Sequence, residues 1–169
     1  MDFLIIRDES ENGFRAIAQK LFDEYAIQTC NGLYGFAELE FYWNNLSTHN
    51  DKATYERKYV NPKRGDWFFH YSGVDIALKN DDAGFGGILI RGIIDITNRN
   101  KIYKGPLVCV MRLFSEANAF SSSMTPQIVP YDKFEKSKIE SKPRIGLGKN
   151  AIESNTDKLN YNFSIYPSK

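Results

Sequence analysis

The sequence predicts an α+β fold, a single domain over residues 1–169 built on a curved, mostly antiparallel, barrel-like sheet with flanking helices. Three observations lead there. Apolar residues recur at helical spacing in one segment near the N-terminus and in another after Pro106. Elsewhere the pattern switches to period two, or to short apolar runs bounded by turn residues. No repeat and no low-complexity linker divides the 169 residues.

Taken in order, ENGFRAIAQKLFDEYAI sets Phe14, Ile17, Ala18, Leu21, Phe22 and Tyr25 on one face of a helix. GFAELEFYW then alternates, with Leu39, Phe41 and Trp43 on one side and Glu38, Glu40 and Tyr42 on the other. Residues 44–64 are polar and carry Lys52, Arg57, Lys58, Lys63 and Arg64 against Glu56, which predicts an ordered but exposed excursion. DWFFHYSGVDIALKND predicts two strands about Ser72-Gly73, with Trp67, Phe69 and Tyr71 sharing a face. GGILIRGIID has the near-continuous apolar run of a strand buried on both sides. KGPLVCVMRLFSEAN predicts a helix with Pro106 in its first turn. SSSMTP and DKFEKSKIESKPR are loop-like, and LNYNFSIYP closes as an alternating strand. GLGKNA has the glycine spacing of a dinucleotide fingerprint but no βαβ unit around it, so it reads as a turn.

Composition bounds the function. An apolar content of 42% suits a packed core. The net charge of +1, from 22 basic and 21 acidic residues, gives no support to a global grip on nucleic acid or membrane and leaves only local patches. Two cysteines, Cys30 and Cys109, are too few for a disulfide framework and point to a reducing cytoplasm. Beside His49 and His70 they form no metal-ligand spacing. The apolar run near the N-terminus is too short for a secretion signal or a membrane span. The expectation is a soluble cytoplasmic monomer with no cofactor, no metal and no membrane partner.

Arg91 is the most informative residue. It interrupts ILIRGII, and a cation in a buried strand costs several kcal/mol unless it is paired. AELEF offers two carboxylates at matching parity; the alternative is that Arg91 leaves the sheet edge for water. Glu38 and Glu40 are in turn either a solvated acidic face or, with Tyr42 beside them, the wall of a site. A carboxylate held between an arginine and rings is oriented and partly desolvated, as a general base that activates water must be. His49 alone reads as an ordinary loop histidine, and the rings and imidazole from Trp67 to Tyr71 read as core rather than a ligand box, with at least one of their alternating rows in the core. Asp75 is unusual at a strand centre; pairing with Lys79 or capping a turn would account for it.

In order along the chain, IAQKLF, ELEFY, STHND, GGILIRGI, KGPLVCVMRLF, PRIGLG and NYNFSIYP resemble successive segments of the 3-methyladenine (alkylpurine) DNA glycosylases. The resemblance runs from about Ala16 to Tyr166. It implies a monofunctional N-glycosylase that hydrolyses a nucleobase–sugar bond in damaged or modified DNA, in base excision repair by base flipping, with nucleic acid or another nucleobase-containing ligand as partner. By the same resemblance Glu40 would be the general base and Arg91 would orient the attacking water. Tyr42 would stack on the flipped-out base, and His49, Trp67 and Phe69 would line its other side. The helix-wedging position falls at Ser72, with Tyr71 one residue off. The family's TPRN segment is replaced by NPKRGDW. These departures make a non-catalytic nucleobase or nucleic-acid binding module, with fold and pocket retained, the alternative reading.

Overall fold

A computed structural model describes residues 2–58, 63–80, 84–116, 120, 125–132 and 136–166, without the side chains at 55, 56 and 58. Part of the polar excursion, at 59–62, and much of SSSMTP and DKFEKSK, at 121–124 and 133–135, therefore lie outside the described residues. Along the chain run α1 (Glu11–Glu24), β1 (Tyr25–Thr29), β2 (Gly32–Asn44), β3 (Trp67–His70), β4 (Gly73–Lys79), β5 (Phe85–Asp95), β6 (Lys101–Lys104), α2 (Pro106–Leu113), β7 (Gln127–Pro130), β8 (Glu140–Lys142), α3 (Lys149–Glu153) and β9 (Asn162–Ser164). The described strands form one antiparallel, curled sheet in a single α+β domain. Its order is β3-β4-β5-β2-β1-β7, with β6 also on β5, and β9 also on β2 and carrying β8.

Local chemistry explains the helix ends. Ser10 accepts a hydrogen bond from the Gly13 N–H and starts α1. Its apolar face packs on β2, where the Phe14 and Phe41 rings stack at 5.2 Å. Helical spacing continues to Tyr25, but the backbone there is extended, because residues 25–29 hydrogen-bond to β2 on one side and β7 on the other. Before α2, Gly105 adopts φ 101°, a conformation that favours glycine, and its N–H donates to the Arg91 carbonyl at 2.7 Å. Pro106 then occupies the first turn.

Between Asp51 and Arg57 the excursion after β2 is not an exposed flap. Asp51 and Thr54 are fully buried and Arg57 is 4% exposed, in a 3-10 turn over Lys52–Lys58 that reaches β2 and β5. Charged partners inside the curl draw these side chains inward. Two loop expectations also change: DKFEKSKIESKPR contributes the short strand β8, and GLGKNA leads into α3.

The two central strands exchange neighbours at the same level. β2 pairs with β1 over Gly32–Gly35 and with β9 over Glu38–Glu40. β5 pairs with β4 over Phe85–Leu89 and with β6 over Gly92–Asp95. Where these changes occur, the β2–β5 register slips, with Ala37 and Arg91 each left out of a pair. Such bulges bend a strand and shift the parity of the residues beyond them. Ile88, Ile90 and Ile93 all reach the core, while Arg91 and Gly92 face the other way, against Glu38 and Tyr166.

The N-terminal segment is tied down by one side chain. Asn80 accepts from the Ile6 N–H at 3.1 Å and donates to the Ile6 carbonyl at 2.6 Å, both buried. Asn80→Ala leaves two buried backbone groups unpaired. A loss of about 1–3 kcal/mol of unfolding free energy is expected in urea titration, with faster hydrogen exchange at the Ile6 amide.

Candidate functional site

Alternation in β2 sends Leu39, Phe41 and Trp43 into the core and turns Glu38, Glu40 and Tyr42 toward the opposite, concave face. Glu40 is fully buried there and meets four donors. Its Oε1 accepts from the Asn162 amide at 2.9 Å and the Ile145 N–H at 2.8 Å. Its Oε2 accepts from the Tyr42 hydroxyl at 3.0 Å and, more loosely, from Arg91 Nη1 at 3.4 Å. Arg91 thus lies over the acidic strand, with Nε 3.7 Å from Glu38 Oε1, rather than in water off the sheet edge.

Glu38 is held by a separate set. Asn162 Nδ2 also donates to Glu38 Oε1 at 2.8 Å, so one amide nitrogen bridges the two carboxylates. The Tyr166 hydroxyl donates to Oε2 at 3.0 Å, and Lys142 lies 3.4 Å from Oε1. Burial alone would raise the Glu38 carboxyl; the Asn162 bond, the Lys142 charge, the Tyr166 bond and the Arg91 charge together bring it below its ordinary value. Burial first, and then the charge of Glu40, pushes the Tyr42 hydroxyl upward, partly offset by Arg57 and Arg144, so it remains a proton donor to Glu40. The same sequence of causes, with Glu38 as the charge, raises Tyr166.

Two guanidinium groups lie over the Tyr42 ring, Arg57 at 3.8 Å and Arg144 at 4.6 Å from its centroid. Each is locked from behind. Arg144 is fully buried, pairs with Asp51 at 2.6 Å and donates to the Phe41 and Thr156 carbonyls. Arg57 pairs with Asp75, whose other oxygen lies 3.0 Å from His70 Nε2. Asp75 therefore serves neither Lys79 nor a turn; it is the fully buried anion between a cation and an imidazole. His70 Nδ1 accepts from the Ser72 N–H, which leaves the ring proton on Nε2, toward Asp75.

In front of this network opens a cleft of about 560 Å³. Tyr42, Arg57, His70, Leu89 and Arg91 form its inner wall, Tyr71 and Ser72 one rim, and residues 145–151 the other. Of the residues singled out in sequence, Tyr42, Arg91, Tyr71 and Ser72 border the cleft, and Glu40 lies directly behind the first two. Trp67 and Phe69 do not border it. Trp67 packs half-buried against the core, Phe69 is 52% exposed, and both lie edge-on to Phe114. One residue of parity makes the difference: His70 takes the place in the cleft wall expected of Phe69. His49 is also elsewhere, with Nδ1 on the Trp43 carbonyl at 3.0 Å and Nε2 on the Tyr161 hydroxyl at 2.9 Å. Sequence reasoning missed Asn162, Asp51, Arg57, Arg144 and Tyr166. The signal in the sequence was Arg91, a cation inside an apolar strand that needs the carboxylates of AELEF; Asp75, unusual at a strand centre, is accounted for there by Lys79 or a turn.

Among the described residues no group of three His, Cys, Asp or Glu is placed to hold a metal ion, and no helix is long and apolar enough to cross a membrane. Cys109 is buried, and burial together with the charge of Glu38 pushes its thiol up to about 12, which disfavours the thiolate at neutral pH. No known protein family matches the chain, and no curated protein matches it in sequence.

Two measurements check the network. A Cβ at Gly87 would lie 2.2 Å from Asp75 Oδ2 and 3.0 Å from Arg57 Nε. Gly87→Ala is expected to cost about 1–3 kcal/mol in chemical denaturation. Because the folded Glu38 carboxyl is depressed, its stabilisation is complete above the unfolded value of about 4.3 and is lost as pH falls through the lower folded value. The urea midpoint of Glu38→Gln should therefore lie below that of the unaltered protein at neutral pH and converge with it in acid; a constant gap would show that the charge contributes nothing.

Proposed function

We propose that the cleft binds a nucleobase-bearing ligand and that Glu40 activates water to hydrolyse its N-glycosidic bond, in the manner of the alkylpurine glycosylases that the sequence resembles. The observation carrying this reading is the Glu40–Tyr42–Arg91 group at the back of the cleft. A fully buried carboxylate is oriented by Asn162 and the Ile145 N–H on one oxygen, and its other oxygen accepts from Tyr42 and Arg91, which border the cleft. Tyr42 and Arg91 stand between that oxygen and the cleft, and the Arg91 contact is long, 3.4 Å, so a water reaches Glu40 where this contact opens.

In the reaction the water oxygen bonds to C1′ as the C1′–N bond breaks. The bonding pair leaves with the base nitrogen, and the water proton passes to Glu40 and then to the departing base. The carboxylate also stabilises positive charge on the sugar as the bond loosens. The step needs neither a lysine nucleophile nor a redox group. His70 and Tyr71 supply ring surface at the cleft, and stacking of this kind is worth about 1–3 kcal/mol per base.

A second reading, a binding module without catalysis, is favoured by a different observation. Arg57 lies at stacking distance from the Tyr42 ring, so a base meets a guanidinium where the family resemblance implies an aromatic face.

Incubation with a panel of alkylated and deaminated DNAs and nucleosides, followed by detection of released base, separates the two. Glu40→Gln, checked for folding by thermal melting, is expected to reduce release by about 10²–10⁴-fold. Unchanged release in that variant sinks the catalytic role. Thermal stabilisation by nucleosides without any base release, abolished in Tyr42→Ala, selects the binding module.

A further inference from the structure

We infer that the cleft is built for a nucleobase that carries a phosphate monoester, and that its ligand is a free nucleoside 5′-monophosphate rather than a nucleic-acid strand. This rests on the reading that the ligand bears a nucleobase and adds the class of molecule that presents it.

The inference comes from the direction of the ion pairs. Arg57 and Arg91 line the cleft, whereas their carboxylate partners Asp75, Glu38 and Glu40 do not. Each pair is a dipole with its positive end toward the opening. Lys149 on the opposite rim adds a third cation, and among the described residues no Asp or Glu lines the cleft. Although the network behind is close to neutral, its front is cationic, and a concave wall of one sign concentrates ligands of the other.

Geometry joins the two arginines into one receptor. Arg57 lies over the Tyr42 ring, and Arg91 shares with the Tyr42 hydroxyl the same Glu40 oxygen, so both guanidiniums flank a single side chain. Arg91 has donors to spare. Nη1 reaches Glu40 and the buried Nε is turned toward Glu38, 3.7 Å away, while Nη2 meets no acceptor among the described residues. That nitrogen is free to donate to a phosphate oxygen.

The far rim leaves space for the same ligand. A Cβ on Gly146 or Gly148 would meet nothing within 4 Å. Gly146 needs glycine for its φ of 75°, but Gly148 has an ordinary φ of −85°. Gly148 is the N-cap of α3, and the space before both glycines is open to a ligand approaching the backbone.

Magnitudes favour the monomeric ligand. A phosphate monoester carries about −1.5 to −2 charges at pH 7, which three cations match. Strand binding draws on many phosphate contacts, and this chain has a net charge of only +1. The cleft volume of about 560 Å³ is within the range of small-molecule sites.

Calorimetric titration of the full chain with purine and pyrimidine 5′-monophosphates, the matching nucleosides, inorganic phosphate and a single-stranded dodecamer tests this. At least one monophosphate should bind roughly tenfold or more tighter than its nucleoside. Lys149→Ala, a change on the exposed rim, should lower that ratio several-fold, and Arg91→Lys should lower it further. Equal affinity for nucleoside and monophosphate overturns the inference and leaves the nucleobase reading standing. Inorganic phosphate binding as tightly as every nucleotide overturns both. A dodecamer preferred over all mononucleotides assigns the cations to a strand and overturns the inference, as does the absence of binding by any monophosphate.

Discussion

An ionisable side chain in the middle of a sheet has to be surrounded before the sheet can close over it. Here three carboxylates, Glu40, Asp51 and Asp75, are fully buried inside the curl. Glu40 holds Arg91, Tyr42, Asn162 and the Ile145 N–H; Asp51 holds Arg144, Thr156 and Thr54; Asp75 holds Arg57 and His70. Removing one partner from such a pair typically costs about 3–5 kcal/mol, because the other charge is left buried and alone. The turn over Lys52–Lys58 and much of residues 142–166, which have little regular structure of their own, are fixed by these demands more than by strand pairing.

The backbone provides the place. Both central strands change neighbours at the level of Ala37–Glu38 and Arg91, and both are irregular there. An uninterrupted sheet would have set Arg91 and Ile93 on the same face. The bulge separates them, giving Ile93 to the core and Arg91 to the carboxylates. The cleft opens in front of this irregularity, where diverging neighbours leave room for long side chains.

Much of this was legible in the chain. Strict alternation in AELEFYW separates the core side of β2 from its polar side, and the cation in ILIRGII requires an anion that only a neighbouring strand supplies. The helix from Glu11, the hairpin about Ser72-Gly73 and the Pro106 helix are accounted for by periodicity and turn residues. The illegible part depends on contacts distant in sequence. Nothing in NDKATYERK distinguishes a solvated loop from one whose Arg57 and Asp51 meet partners 18 and 93 residues away. The face of the hairpin that looks into the cleft is likewise set by how β4 docks on β5. In the row Trp67–Phe69–Tyr71, Trp67 packs against the core, while Phe69 and Tyr71 are 52% and 77% exposed and Phe68, of the opposite parity, is buried.

Asn162 bridges two glutamates that precede it by 124 and 122 residues. During synthesis the acidic strand emerges long before the amide, the Ile145 N–H, Arg144 and Tyr166 that complete it. Until those residues arrive, closing the sheet over Glu40 would strand an anion away from water, so the earlier strands cannot fully consolidate by themselves. Completion of the pocket and completion of the fold become one event, with the closing strand acting as the last stone of an arch.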